Sequence, residues 1–63
     1  MTLKELYEHY EQNWVKVHTA LGLGTNTVFK WRKKGYIPIK AQMLIEKRTA
    51  GLFRARLEDA EVD

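Results

Sequence analysis

The chain has 63 residues, a hydrophobic fraction of 44%, a formal net charge of +3 and no cysteine. A chain this short forms one small domain, and the absence of thiols excludes disulfides and thiolate metal sites as sources of stability. Two histidines, His9 and His18, are too few for a metal cage, so we expect a core of apolar side chains with no metal and no cofactor.

Two short amphipathic helices are predicted in the first third of the chain. Thr2 followed by Glu5 forms a capping box, and apolar residues at helical spacing continue a first helix to about Glu11. Asn13 is a favoured N-cap for a second helix, which ends at Gly22. The residues predicted to pack are Leu3, Leu6, Tyr7 and Tyr10 in the first helix and Trp14, Val17 and Leu21 in the second.

Two further helices are predicted in the middle of the chain. The third begins near Thr25, with Gly24 or Thr25 as its cap, and ends before Gly35. Pro38 suits the first turn of the fourth, where its missing N–H has no partner to lose. The fourth helix extends towards Gly51, and its broad, mainly apolar face comprises Ile39, Ala41, Met43, Leu44, Ile45 and Arg48.

The segment after Gly51 fits two structures. Phe53, Leu57 and Ala60 share one helical face, whereas Phe53, Ala55 and Leu57 also alternate with charged residues, as in an edge strand. The helix propensities of Arg, Ala, Leu and Glu favour the helix. The predicted fold is therefore all-α with four to five helices, and the alternative is α+β with a C-terminal strand hairpin.

The spacing from about residue 14 to residue 33 predicts a helix-turn-helix within a single domain, 1–63. Gly22 provides a turn in which a positive φ is expected. The positions that must be apolar to join the two helices are occupied by Val17, Leu21, Leu23, Val28 and Trp31. We expect Trp14 and Trp31 to belong to the core rather than to form base-stacking platforms.

The charge of the chain is concentrated in its middle. Residues 1–12 and 50–63 each have a net charge of −2, whereas residues 13–49 have a net charge of +7. This asymmetry is typical of a surface that binds a polyanion, although a merely solvated cationic face would share it. Together with the helix-turn-helix, it predicts binding to double-stranded DNA.

Several stretches resemble the Cro repressor family of lambdoid bacteriophages, most closely its all-helical members. They are Ala20-Leu21-Gly22-Leu23, Val28-x-x-Trp31-Arg32, Ile37-Pro38 and Ile45-x-x-x-Thr49-Ala50-Gly51, and the resemblance covers roughly residues 3–53. It implies a phage or prophage repressor that regulates transcription as a homodimer on a palindromic operator. His18, where the family commonly has a small residue, and Gly24, where it commonly has Ser or Thr, depart from the pattern.

The resemblance also assigns the residues that would contact DNA. The base-reading positions are Thr25, Asn26, Phe29 and Lys30. Asn26 suits adenine, Lys30 suits guanine, and Thr25 or Phe29 suits a thymine methyl. We expect Phe29 to be partly exposed; the alternative is that it packs against the second helix or the loop at Tyr36.

Phosphate contacts are expected around the two helices of the motif. The candidate donors are Asn13, Lys16, Arg32, Lys33, Lys34 and Lys40. For Lys33 and Lys34, compensation of the dipole at the helix C-terminus is an alternative role.

No catalytic arrangement is visible, so we do not expect an enzyme. The alternatives to a repressor are an architectural, excisionase-like DNA-binding protein and a small helical protein-interaction domain. A weak homodimer is expected through residues 36–60, where Phe53 and Leu57 are candidates for a shared interface. No apolar run is long enough to span a membrane, and we expect a cytoplasmic protein of a bacterial host, with neither a membrane nor a small molecule among its partners.

Overall fold

A computed structural model describes residues 1–60, which form four α-helices and no β-strand. The helices are α1 (Leu3–His9), α2 (Trp14–Leu21), α3 (Thr25–Lys34) and α4 (Ile39–Arg48), and a single 3₁₀ turn follows at Leu57–Asp59. The predicted all-α fold is confirmed, and the alternative with a strand hairpin is wrong. Residues 61–63 of the predicted domain lie outside the described residues. None of the described helices is long and apolar enough to cross a membrane.

Side chains cap the first two helices as the sequence predicts. Thr2 Oγ1 accepts a hydrogen bond from the Glu5 N–H at 3.2 Å, and Asn13 Oδ1 accepts one from the Val15 N–H at 2.9 Å. No side chain caps α3 or α4. Pro38 immediately precedes α4 instead of lying in its first turn, and its carbonyl accepts the Gln42 N–H at 2.9 Å.

The first helix ends at His9, two residues before the predicted end at Glu11. Glu11 and Gln12 have φ values of 59° and 55°, and the Gln12 N–H donates back to the Tyr7 carbonyl at 2.8 Å. Asn13 must be extended to cap α2, and its φ is −133°. Glu11 and Gln12 therefore have to turn the chain before Asn13, and they cannot continue the helix α1.

The core forms where α2 and α3 meet the other elements. All five positions predicted to join the motif face inwards, because four of them are buried and Leu23 is partly buried against them. Trp14 is half-buried at the edge of this core, whereas Trp31 is inside it. The buried apolar residues are Met1, Leu6, Val17, Leu21, Val28, Trp31, Ile37, Ile45 and Phe53.

Only a narrow stripe of α4 faces the core. Gln42 and Ile45, three residues apart, are buried, and Ala41 packs beside them. Met43 projects from nearly the opposite side of the helix and is 60% exposed, so the prediction that it shares a packed apolar face with Ile45 is wrong. Leu44 is also exposed. A domain this small covers only one side of its last helix.

The segment after α4 is not a regular helix, so the favoured prediction for residues 51–60 is wrong apart from the single 3₁₀ turn. Ala50 and Gly51 both have positive φ, which reverses the chain immediately after α4. Phe53 is then buried, with its ring centroid 5.0 Å from that of His9 and 6.2 Å from that of Tyr10. The segment thus packs back onto the end of α1.

Gln42 holds this segment in place from inside the core. Its Nε2 donates to the Ile37 carbonyl at 2.8 Å, and its Oε1 accepts from the Met1 ammonium at 3.0 Å and from the Arg56 N–H at 2.9 Å. The Met1 ammonium also donates to the Arg54 carbonyl at 2.8 Å and lies 3.1 Å from Asp59 Oδ2. The backbone of residues 54–56 is therefore fixed by bonds to distant residues and not by a helix of its own.

One ion pair closes the exposed end of the segment. Arg56 donates from Nε and Nη2 to Glu58 Oε1 at 2.9 and 2.6 Å. This hydrogen bonding, with the negative charges of Glu58 and Asp59, raises the pKa of Arg56 above its ordinary value. Arg56 therefore belongs to an acidic cluster and not to the cationic middle of the chain.

Candidate nucleic-acid interface

The helices α2 and α3 form a helix-turn-helix joined by residues 22–24. Gly22 ends α2 with a φ of +66°, in the left-handed region that glycine adopts without steric cost. The Leu23 N–H then donates to the His18 carbonyl at 2.8 Å, which closes the end of α2. His18 itself is half-buried in the last turn of that helix.

The turn is held from α4 by Arg48. Its Nη1 donates to the carbonyls of Leu21 and Gly22 at 2.5 and 3.2 Å. These carbonyls lie at the C-terminal end of α2, where backbone acceptors lack intrahelical partners and a positive charge is favourable. Arg48 thereby fixes α4 to the turn between α2 and α3. In the sequence, the only indication of this role is a charged residue on a face predicted to be mainly apolar.

Two buried side chains set the orientation of α3. Val28 and Trp31 are 3% and 4% exposed and define its inner face. Since successive residues of an α-helix are rotated by about 100°, the opposite face carries Asn26, Phe29, Lys30 and Lys33. Three of these are predicted base readers. The fourth predicted reader, Thr25, is exposed but lies nearer the flank, and Lys33, predicted to contact phosphate, takes its place on the outer face.

Phe29 is exposed as expected, with 51% of its surface accessible. The alternative, in which this ring packs against α2 or the loop at Tyr36, would have buried it and is therefore wrong. The Lys33 Nζ lies 5.3 Å from the centroid of the ring, within the range of a cation–π interaction. An apolar ring and an ammonium group thus form one contact unit on the outer face of α3.

Arg32 is held at the start of α2 by aromatic stacking. Its Cζ lies 4.8 Å from the centroid of Trp14, and the Trp14 ring stacks on Tyr7 with 4.6 Å between centroids. A guanidinium group stacked on an aromatic face keeps its N–H edges available for hydrogen bonds in its own plane. The stack therefore positions Arg32 beside the N-terminus of α2 while leaving it able to bind a phosphate.

The remaining predicted phosphate donors differ in how they are engaged. Asn13 uses its side-chain oxygen to cap α2, which leaves only its amide group as a donor. Lys16 Nζ lies 3.1 Å from Glu11 Oε2, an exposed ion pair of the kind that contributes little to stability. Lys30, Lys34 and Lys40 are exposed and form no ion pair with any residue in the range 1–60.

The positive charge of this region is not neutralised from within it. Glu46 is the single acidic residue of the range 13–49. It is partly buried, and its Oε1 accepts the Ala55 N–H at 2.7 Å. This carboxylate therefore bonds to the C-terminal segment and does not pair with the basic side chains of α3. The surface of α3 consequently stays positively charged.

No family model, curated protein or solved structure matches this chain. The resemblance to the Cro repressor family consequently depends on short sequence stretches between Ala20 and Gly51 alone. Physically, the arrangement offers a helix with a polar, aromatic and cationic outer face and additional exposed cations on α2, α3 and α4. Such a surface can enter a groove lined by hydrogen-bonding base edges and flanked by phosphates.

Proposed function

We propose that this protein is a sequence-specific DNA-binding transcriptional repressor of the Cro type, whose α3 enters the major groove of an operator half-site. The observation that supports this most strongly is the two-sided character of α3. Val28 and Trp31 anchor one side, and Asn26, Phe29 and Lys30 are exposed on the other. A recognition helix needs this division, because one face must pack firmly while the other meets the bases.

The polar readers have a direct chemical role in this proposal. The Asn26 amide donates to and accepts from adenine, and the Lys30 ammonium donates to guanine O6 or N7. Thr25, at the first position of α3, is exposed where residues near the N-terminus of a recognition helix meet the bases. Arg32, Lys34 and Lys40, supported by Asn13 and Lys16, bind phosphates and fix the position of the helix in the groove.

One short module provides few base contacts, so the proposal includes a weak homodimer on a palindromic site. Within residues 1–60, six large apolar side chains are exposed, and four of them lie in the predicted dimerisation segment, namely Met43, Leu44, Leu52 and Leu57. This concentration supports an interface formed by that segment. Phe53 is not part of it, because the ring is buried within its own chain; that earlier expectation is wrong.

By the same resemblance, the protein acts in the cytoplasm of a bacterial host as a phage or prophage regulator and is not an enzyme. No observed feature favours an architectural protein or a protein-interaction domain over a repressor. Each of those two alternatives predicts a DNA-binding result different from that of the repressor.

Two measurements test the proposal. The first is the affinity for duplex DNA as a function of salt concentration. Four cationic phosphate contacts per protomer, eight in the dimer, require a loss of about 10⁴-fold between ~50 and ~200 mM salt. A flat response would remove DNA as the partner and leave the interaction domain.

The second measurement is a footprint on the duplex that is selected most strongly from a random pool. Protection of a palindrome, with half-sites about one helical turn apart and affinity at least ~10³-fold above random duplex, supports the repressor. Uniform coating of the duplex at similar affinities would instead establish the architectural alternative.

A further inference from the structure

Phe29 is the apolar member of an outer face that is otherwise polar, with Asn26, Lys30 and Lys33. It lies on the outer side of α3, between Thr25 and Asn26 around the helix, and 51% of its surface is exposed. Exposure of half an aromatic ring is unfavourable in the unbound protein, since apolar surface is stabilised by removal from water. The residue thus provides a large apolar surface at the position where α3 is proposed to meet the bases.

Lys33 lies over one face of this ring. Its Nζ lies 5.3 Å from the ring centroid, one helical turn after Phe29. A cation over one face of an aromatic ring is attracted by it and covers that face. The ring is therefore left to meet a partner through its edge or its second face.

The major groove offers a narrow choice of apolar partners. Its floor carries donors and acceptors at every base, and the C5-methyl group of thymine is the apolar exception. A methyl group at the same carbon of cytosine has the same chemistry. Contact of Phe29 with an amino group or with guanine O6 would instead remove a polar atom from water without giving it a partner, which is unfavourable.

We propose that Phe29, positioned by Lys33, recognises the C5-methyl group of a pyrimidine at one position in each operator half-site. This inference depends on the proposed function, because it specifies what the outer face of α3 reads. It selects Phe29 over Thr25 as the methyl reader, since Phe29 lies nearer the centre of that face than Thr25 and exposes a larger apolar surface.

The test uses the duplex selected from a random pool, with each thymine replaced singly by deoxyuridine, which removes only the methyl group. At one thymine per half-site, we expect affinity to fall about fourfold, equivalent to ~0.8 kcal/mol for one buried methyl group at ~1.4 kcal/mol per factor of ten. The same thymine·adenine pair is also replaced by 5-methylcytosine·guanine and, separately, by cytosine·guanine. Comparison of these two duplexes tests whether the methyl group is recognised on cytosine as well as on thymine. Tighter binding of 5-methylcytosine than of cytosine would show that the methyl group is read on either base, and binding that stays equally weak with both would confine the recognition to thymine.

Variants of the protein assign the effect to the ring. In Phe29→Ala the uracil penalty should vanish, and in Phe29→Leu, which stays apolar, most of it should remain. Lys33→Ala should reduce the uracil penalty. The matched variant Lys34→Ala should weaken binding to both duplexes equally and leave the uracil penalty unchanged. Melting curves show whether each variant is folded, which is expected because all three positions are exposed.

Two results would overturn the inference while leaving DNA binding intact. One is a selected duplex that tolerates uracil at every thymine, and the other is a penalty that persists in Phe29→Ala. An unchanged penalty in Lys33→Ala would overturn the positioning role of Lys33. Failure to bind any duplex would overturn the proposed function itself, so the two failures are distinguishable.

Discussion

Replacement of Gln42 by leucine should destabilise the fold strongly, even though leucine is apolar and similar in size. Gln42 is fully buried, with 0% of its surface exposed. Its side chain satisfies the Ile37 carbonyl and the Arg56 N–H and provides one of three partners of the Met1 ammonium. Gln42→Leu removes all three hydrogen bonds at once.

The expected magnitude follows from the partners that are left behind. A buried polar group without a partner costs about 1–3 kcal/mol. Ile37 is buried and loses its side-chain donor, the Arg56 N–H is partly buried, and the ammonium keeps its other two partners. We therefore expect a loss of about 2–4 kcal/mol from the free energy of unfolding, of which a chain this length has only ~3–9 kcal/mol.

The assay is urea unfolding followed by far-UV circular dichroism, with Met43→Ala as the matched control. Met43 neighbours Gln42 on α4 but is 60% exposed, so at protein concentrations that keep the chain monomeric its replacement should change the free energy by no more than about 0.5 kcal/mol. A Gln42→Leu variant as stable as the parent would refute the reasoning, because the C-terminal segment would then not depend on the buried amide.

Three further predictions concern residues that hold the candidate interface in place. Trp31→Ala should lower the free energy of unfolding by about 3–5 kcal/mol as a large core deletion, and an unchanged unfolding midpoint would contradict the core role of Trp31. Gly22→Ala should cost about 1–2 kcal/mol, because φ is +66° there and the new Cβ would lie 3.1 Å from Arg48 Nη1; Gly22→Asn, which tolerates this conformation better, should cost less in the same unfolding assay. A double-mutant cycle of Arg32→Met with Trp14→Leu should yield a coupling of about 0.5–1 kcal/mol from the stacked cation, and zero coupling would mean that Trp14 does not position Arg32.

The elements that the sequence predicts well are those encoded by neighbouring residues. Thr2 and Asn13 cap helices because a short polar side chain reaches N–H groups two or three residues later. Gly22 and Gly35 end α2 and α3 because each can adopt a positive φ. The spacing of Val28 and Trp31 likewise predicts which side of α3 is buried.

Features that depend on distant partners escape the same reasoning. The Gln42 and Arg48 side chains bond to residues 41 and 27 positions away, and no local pattern encodes those partners. Helix propensity around residues 52–60 is overridden because Ala50 and Gly51 reverse the chain and Phe53 packs onto α1.

The candidate interface likewise combines features encoded by neighbouring residues with features that depend on distant partners. The exposure of Thr25, Asn26, Phe29 and Lys30 follows from helical periodicity, and the structure confirms it. The same periodicity places Lys33 on the outer face, but its charge alone indicates a phosphate contact, and its position beside Phe29 requires the side-chain arrangement. The stacking of Arg32 on Trp14 joins two helices, so it too depends on the folded structure.

The most direct test of α3 as the reading helix compares the sequence preference of Lys30→Ala with that of Lys34→Ala across all single base-pair variants of the selected half-site. Lys30 is on the outer face, and Lys34 lies at the C-terminal end of the same helix. Lys30→Ala should lose about 1–3 kcal/mol of discrimination at one base pair, whereas Lys34→Ala should weaken every sequence alike and reduce the salt slope by about one. Identical preference profiles for the two variants would contradict the placement of α3 in the major groove.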